Sequence, residues 1–334
     1  MSPRVSVLLP VRDARGTLAV ALRSVARQTL PDFECVVVDD GSRDGSRALA
    51  ESFAARDPRF RVLTREAQGL VAALNAGLAV ARGRFVARMD ADDIAHRRRL
   101  ELQVAALEAD PSLAAVGAHV RLFPRGALGP GMRAYEAWLL TLDSADAVRR
   151  DAFVECPLPH PTLVARRERL PPEGYRDCGW PEDYDLVLRL LARGERVGVV
   201  PRRLLAWRHG PARLSQRDPR YAPEAFTACK AAFLSDGFLA GHASYVLWGY
   251  GGTGRALRSA LLARDRRPSA IVELHPGRLG QRIHGAPVVA PAALPSLPRA
   301  PIVVSVAGTA ARAEIRAALA AMGFEELRDF VCAA

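Results

Sequence analysis

Over its first hundred residues the chain alternates short apolar runs with segments of helical spacing, and this rhythm restricts the fold more than any other feature. Val5-Ser-Val-Leu-Leu-Pro10 is an apolar run of the kind buried in a parallel sheet. Leu18, Leu22, Val25 and Ala26 follow at helical spacing, and 33–38 reads as a second strand that stops at Asp39-Asp40-Gly41-Ser42. A helix over 46–55, a strand over 60–63, a helix over 69–81 and a strand over 84–88 continue the pattern. Such alternation predicts a doubly wound α/β domain. Sheets of this type bind ligands outside the carboxyl ends of their strands, which is where the acidic clusters fall.

Beyond residue 100 the pattern is less regular. A helix over 100–108, a strand over 114–123, a Gly/Pro loop over 124–131, a second loop over 156–161 and a helix over 182–192 are predicted. An amphipathic helix over 222–239 reads as a connector. A fresh unit then opens with the strand Tyr245-Val-Leu-Trp248, a glycine cluster, a helix and a strand over 270–273. After a proline-punctuated stretch come a strand over 302–306 and a helix over 310–321. The division predicted is a main domain over 1–220, a connecting helix over 221–241 and a smaller α/β domain over 242–334. A length of 334 residues suffices for two cores.

Composition narrows the class. With 49% hydrophobic and 25% charged residues, the chain is neither a disordered tail, a fibre nor a small disulfide scaffold. Its net charge of +11 rests almost wholly on arginine, since Lys230 is the only lysine. That charge suits nucleic acid, anionic lipid or phosphorylated substrates. Nucleic acid is disfavoured, because aromatics make up only 6% and no basic–aromatic patch is interleaved. The five scattered cysteines form no CxxC pair and read as reduced thiols of a cytoplasmic protein. Pro10 and Arg12 interrupt the first apolar run, so no signal peptide is expected, and no apolar stretch of roughly 18 residues predicts a membrane span. A soluble protein is expected whose arginines can rest on the anionic inner face of a membrane.

Three acidic constellations can carry chemistry. Asp90, Asp92 and Asp93 follow directly on a strand, and residues two apart in an extended segment point the same way. Carboxylates so placed suit Mg²⁺ or Mn²⁺ held partly by substrate phosphates, or else form a solvated turn capping the next helix. Asp39 and Asp40 end an earlier strand, where a carboxylate can accept the N–H of a nucleobase. The main domain contains neither GxxxxGK[ST] nor GxGxxG, so phosphates bound there need a cation rather than glycine amides. Glu182 and Asp183 open a helix, either as partners of its dipole or as a general base for a sugar hydroxyl. His160 is a substrate contact or a loop histidine, and His209 is a candidate for a metal shell.

Taken together, these segments resemble glycosyltransferase family 2, the inverting transferases of the GT-A fold, over residues 3–220. The resemblance is carried by Val5-Ser-Val-Leu-Leu-Pro10-Val, Val36-Val-Val-Asp39-Asp40-Gly41-Ser42, the Gly69 to Asn75 segment, Arg88-Met-Asp90-Ala91-Asp92-Asp93, His160-Pro161-Thr162 and Glu182-Asp183-Tyr-Asp185. It implies a GT-A doubly wound mixed sheet and a nucleotide-sugar donor, most often a UDP-sugar. By the same resemblance Pro10 and Asp40 line the base pocket, Asp90 faces the ribose, Asp92 binds Mn²⁺ or Mg²⁺, and Asp93 shares one of those roles. Asp183 becomes the catalytic base, with Glu182 the fallback. The acceptor implied is a hydroxyl of a glycan, a lipid-linked saccharide or another molecule in polysaccharide biosynthesis.

The smaller domain reads separately. Gly249-Tyr-Gly251-Gly252-Thr-Gly254 follows a strand and opens a helix, and Glu273 ends the next strand about twenty residues on. This predicts a small Rossmann-like domain for a nucleotide or nucleotide-sugar. The rival whole-chain reading is a nicotinamide-dependent oxidoreductase or nucleotide-sensing protein centred on that loop; it leaves the Asp90 and Glu182 clusters unexplained.

Overall fold

A computed structural model describes residues 2–210 and 213–334. The chain divides into two compact units, one comprising residues up to Arg149, Leu158–Cys178 and Glu182–Arg217, the other Arg150–Pro157, Gly179–Pro181 and Asp218–Ala334.

In the first unit the predicted alternation becomes β1 (Val5–Val11), α1 (Arg15–Ala26), β2 (Phe33–Asp40), α2 (Ser46–Ala54), β3 (Phe60–Arg65), α3 (Leu70–Ala79) and β4 (Phe85–Arg88). Every residue of β1, β2 and β4 is buried, as strands covered on both faces require. Then follow β5 (Ile94–Ala95), α4 (Arg99–Ala109), β6 (Leu113–Phe123), α5 (Pro130–Leu139), α6 (Ala145–Asp151), β7 (Val164–Arg166), α7 (Glu182–Ala192) and β8 (Arg196–Arg208). The eight strands form one sheet in the order β3-β2-β1-β4-β7-β6-β8-β5. Its β3-β2-β1-β4 half is parallel, whereas β7 runs antiparallel to both β4 and β6. The sheet is therefore mixed, as the family resemblance implies. Beneath it Leu74, Ala115, Leu158, Leu163, Tyr175, Leu186 and Leu190 share one apolar cluster, which ties α3 and α7 to the sheet.

Two differences from the sequence reading have local causes. The Gly/Pro stretch read as a loop over 124–131 ends in a helix, because Pro130 occupies the first turn of α5, where its missing N–H costs nothing. The long strand β8 escaped notice because Pro201, Arg202 and Arg203 break its apolar alternation; its pairing with β6 shifts register between Ala118 and Val120 to accommodate them.

The second unit contains α8 (Pro223–Asp236), β9 (Ser244–Trp248), α9 (Gly252–Leu262), β10 (Arg267–Val272), β11 (Arg282–Ile283), β12 (Ala286–Val289), β13 (Ile302–Val304), α10 (Thr309–Ala321) and β14 (Phe330–Cys332). Its sheet has the order β11-β12-β10-β9-β13-β14 and is parallel except for the short β11–β12 pair. The segment read as a connecting helix contributes Ala231, Leu234 and Leu239 to the core of this unit, against Tyr245, Leu247 and Leu257. Lys230 is buried in the same helix and donates to the carbonyls of Val154 and Ala333 at 2.7 and 3.4 Å. All five cysteines are free thiols, buried except Cys178. No helix among the described residues is long and apolar enough to cross a membrane.

Candidate active site

The carboxyl ends of β1, β2 and β4 bring together the first residues of interest. Pro10 lies buried in β1, in register with Val38, and β2 next to it ends in the buried pair Asp39 and Asp40. Successive strand residues face opposite ways. Asp40 accepts hydrogen bonds from the backbone N–H groups of Gln68 and Gly69 at 3.0 and 2.8 Å, just ahead of α3. Arg12 and Arg65 stand 3.6 and 3.5 Å from its oxygens. Asp39 retains a buried Oδ1 with no hydrogen-bond partner.

Directly after β4, Asp90, Asp92 and Asp93 converge, with one oxygen of each within 4.8 Å of the others. Their environment drives them apart electrostatically. Burial would raise Asp90, but Arg88, whose Nη1 lies 2.6 Å from Oδ1, overrides it together with Arg213 and His160, and the carboxyl sits below its usual range. Asp92 is pushed up by burial and by the charge of Asp90, and Asp93 goes further up through burial and both neighbours. The cluster is fastened to β8. The N–H of Arg208 donates to Asp93 Oδ1 at 2.7 Å, and its guanidinium donates to the carbonyl of Asp92 at 2.8 Å. Asp93 Oδ2 is buried without a hydrogen-bond partner. His209 follows that anchoring residue; its ring Nδ1 is likewise buried and unpartnered, but it is not one of the three groups within 4.8 Å.

The third constellation opens α7. Glu182 is buried and Asp183 partly exposed, with Asp183 Oδ1 accepting from the N–H of Tyr184 at 2.7 Å. Burial, then the adjacent Glu182 charge, push Asp183 up to about 6, while His160 and Arg88 pull the other way. Asp185, one turn inside, is a structural carboxylate held by Arg176 and Arg189 at 2.6 Å each. His160, read as a substrate contact or a loop histidine, is buried, with Nδ1 3.5 Å from Glu182 Oε1 and Nε2 3.0 Å from the Tyr175 hydroxyl.

The sequence matches the family described as Glycosyl transferase family 2 over residues 6–161. It is 33% identical to the amylovoran biosynthesis glycosyltransferase AmsE of Erwinia amylovora over 216 residues, covering 64% of this chain and 79% of that protein. The chain belongs to glycosyl transferase family 2.

Other members match over shorter stretches. The putative glycosyltransferase EpsH of Bacillus subtilis is 41% identical over 28% of this chain and 27% of its own length. The Escherichia coli enzyme WfgD, a UDP-Glc:alpha-D-GlcNAc-diphosphoundecaprenol beta-1,3-glucosyltransferase, is 38% identical over 30% of this chain and 40% of its own. In fold, this family 2 chain is similar to S. aureus TarS 1–349 in complex with UDP-GlcNAc, with a TM-score of 0.57, 18% identity and coverage of 78% and 72%. It is also similar to the mannosyltransferase PcManGT of Pyrobaculum calidifontis, solved with GDP-Man and Mn²⁺, with a TM-score of 0.52, 21% identity and coverage of 79% and 70%.

Several residues around the candidate site carried no sequence signal. Tyr175 lies in an irregular loop and meets His160 only through the tertiary fold. Arg213 stacks its guanidinium 4.6 Å over the Trp207 ring and helps keep Asp90 low. Arg99 is fully buried on α4 and donates to the carbonyl of Arg88 at 2.7 Å, bracing the strand end that carries the aspartates. Burial lowers its guanidinium to about 9.

In the second unit the glycine loop joins β9 to α9. Gly249 has φ +96°, a left-handed turn that favours glycine, and a Cβ on Gly254 would lie 2.2 Å from the Gly249 carbonyl oxygen. Gly251, at the start of α9, faces open space. Glu273 follows β10 and is paired with Arg278 at 2.8 Å, and Arg278 also donates to the Tyr250 carbonyl inside the loop.

Proposed function

We propose that this protein is an inverting glycosyltransferase that moves a sugar from a nucleoside diphosphate donor, by preference a UDP-sugar, to a hydroxyl acceptor in polysaccharide or glycan synthesis. The observation that carries the reading is the convergence of Asp90, Asp92 and Asp93 within 4.8 Å at the carboxyl end of β4. Three carboxylates with a buried, unpartnered oxygen on Asp93 suit a hard divalent cation. Asp92 would hold Mn²⁺ or Mg²⁺, with Asp93 sharing the cation and Asp90 toward the ribose, while His209 stays outside the three-carboxylate group. Such a cation, when bound, neutralises charge developing on the leaving diphosphate.

The chain's own residues supply the rest. Pro10 and Asp40, which the register places on one face of the sheet, form the wall for the base, with Asp39 on the opposite face, and the amides that grip Asp40 fix its orientation. Asp183, at about 6, is largely ionised at neutral pH yet basic enough to accept a proton. It takes the acceptor hydroxyl proton as that oxygen bonds to the anomeric carbon. The bond from this carbon to the phosphate oxygen breaks on the opposite face, and the nucleoside diphosphate leaves.

The names of AmsE and WfgD, an amylovoran biosynthesis enzyme and a transferase to a diphosphoundecaprenol-linked sugar, support a glycan or lipid-linked acceptor. A net charge of +11 suits peripheral attachment to the inner face of an anionic membrane. For the second unit, a Rossmann-like domain over 242–334, the favoured ligand is a nucleotide or nucleotide-sugar. Its three glycines divide the tasks of a dinucleotide fingerprint: a turn at Gly249, an open approach at Gly251 and close packing at Gly254.

Calorimetric titration of UDP with Mn²⁺, and again with excess chelator, tests the donor site. Binding that needs the cation and is lost in Asp92→Ala is expected. Binding indifferent to both chelator and substitution would overturn the cation-dependent reading.

A further inference from the structure

We propose that Tyr175 and His160 form a positioning relay, anchored through Asn75, that clamps Glu182 beside Asp183 while the acceptor proton is removed. The proposal rests on the reading of Asp183 as the base.

The relay begins in α3. Asn75 Nδ2 donates to the Tyr175 carbonyl, and the Tyr175 N–H donates back to Asn75 Oδ1, both at 2.8 Å. This reciprocal pair needs the preceding residue to be glycine. Gly174 has φ +64°, and a Cβ there would lie 2.4 Å from Asn75 Oδ1. The Tyr175 backbone is thus fixed, and its side chain is buried. Burial pushes the phenol far above its ordinary range, so the hydroxyl keeps its proton. Its neighbour at 3.0 Å is His160 Nε2. The other ring nitrogen, Nδ1, lies 3.5 Å from Glu182 Oε1. Hydroxyl, imidazole and carboxylate thus form one buried chain of polar contacts.

Glu182 is held where its charge opposes ionisation of Asp183, while His160 and the buried Arg88 favour it. Arg88 is 3% exposed, pairs with Asp90 and leaves Nε without a hydrogen-bond partner. The groups bearing on Asp183 are therefore Glu182 and the Tyr184 N–H from α7, His160 from the turn before β7, and Arg88 from β4. Glu182 on this view is a positioning residue rather than a second base, and His160 holds it rather than touching the acceptor.

The test is the pH dependence of kcat for wild type, Glu182→Gln, His160→Gln and Tyr175→Phe, with UDP affinity and melting temperature measured alongside. Removing the Glu182 charge is expected to move the acid limb to lower pH, and removing His160 to move it higher, each by roughly one unit. Tyr175→Phe, which deletes only the hydroxyl, is expected to lower kcat about tenfold with UDP affinity unchanged. A purely structural role would lower activity and melting temperature together and leave the limbs in place. Limbs that stay at the wild-type pH in all three variants, with Asp183→Asn inactive, overturn the relay alone. An active Asp183→Asn enzyme overturns the base assignment and the relay with it.

Discussion

The two sheets of this chain confront one problem, an open row of parallel strand ends, and equip it in opposite ways. At the first, the ends of β2 and β4 carry carboxylates, and the glycine turns there, at Gly41, Gly45 and Gly69, bear no phosphate-binding fingerprint. At the second, β9 ends in glycines that bare the N–H groups of α9, which has no acidic residue in its first turn. Carboxylates can meet a diphosphate only through a cation, whereas amides at a helix start meet it directly. Parallel-sheet architecture thus fixes where a ligand sits, and the residues at the strand ends fix what chemistry can follow. The first arrangement also has a carboxyl raised by burial, Asp183, which we propose as the base.

The most severe way to break this contrast is to remove the base. Asp183→Asn keeps the shape of α7 but cannot accept a proton, so kcat is expected to fall about 10²- to 10⁴-fold, with UDP binding intact. In the native enzyme kcat should rise with pH through about 6, because Asp183 must lose its proton before it can act. A steady-state pH profile in a non-chelating buffer checks both. A rate that falls as pH rises through that value would mean that the working group is an acid.

The acidic edge was legible in the sequence because each element of it obeys a local rule. Period and burial mark β1, β2 and β4, the acids fall where those runs stop, and α7 begins and ends at Glu182 and Ala192 as its spacing predicts. What escaped is non-local. Tyr175 lies between Gly174 and a run of turns, with no period to mark it; its meaning comes from Asn75, a hundred residues earlier in the chain. Arg99 looks like one of three surface arginines in Arg97-Arg98-Arg99, yet it is the one turned inward to Arg88 and Gln103. Periodicity records which face is apolar; it is silent where a buried cation is satisfied by a carbonyl.

A second prediction concerns packing at the glycine loop. Gly254→Ala would drive a Cβ to 2.2 Å from the Gly249 carbonyl oxygen and 2.7 Å from Ser305 Oγ, both of which belong to the loop's own bonding, since Ser305 donates to that carbonyl. The second unit is expected to lose about 1–3 kcal/mol, seen as an earlier melting transition. Metal-dependent UDP binding attributable to Asp92 should persist; its loss in this variant would show that the two sheets do not divide the work as proposed.

The smallest expected effect is the most discriminating for the second sheet. Gly251 has φ −75°, and a Cβ there meets nothing within 4 Å, so neither backbone strain nor packing calls for glycine. As the N-cap of α9, where alanine is poorer than glycine, Gly251→Ala should cost the second unit only about 0.5–1 kcal/mol. If a nucleotide's phosphates lie against the amides at the start of α9, the added methyl stands between them and their donors, and binding measured in an Asp92→Ala background should weaken. That background silences the carboxylate site, so the heat observed belongs to the glycine loop. Unchanged binding there would mean that the open face at Gly251 is not the approach for phosphate. Gly249 and Gly254 would then serve the turn and the packing alone, and the second sheet would hold its glycines for its fold.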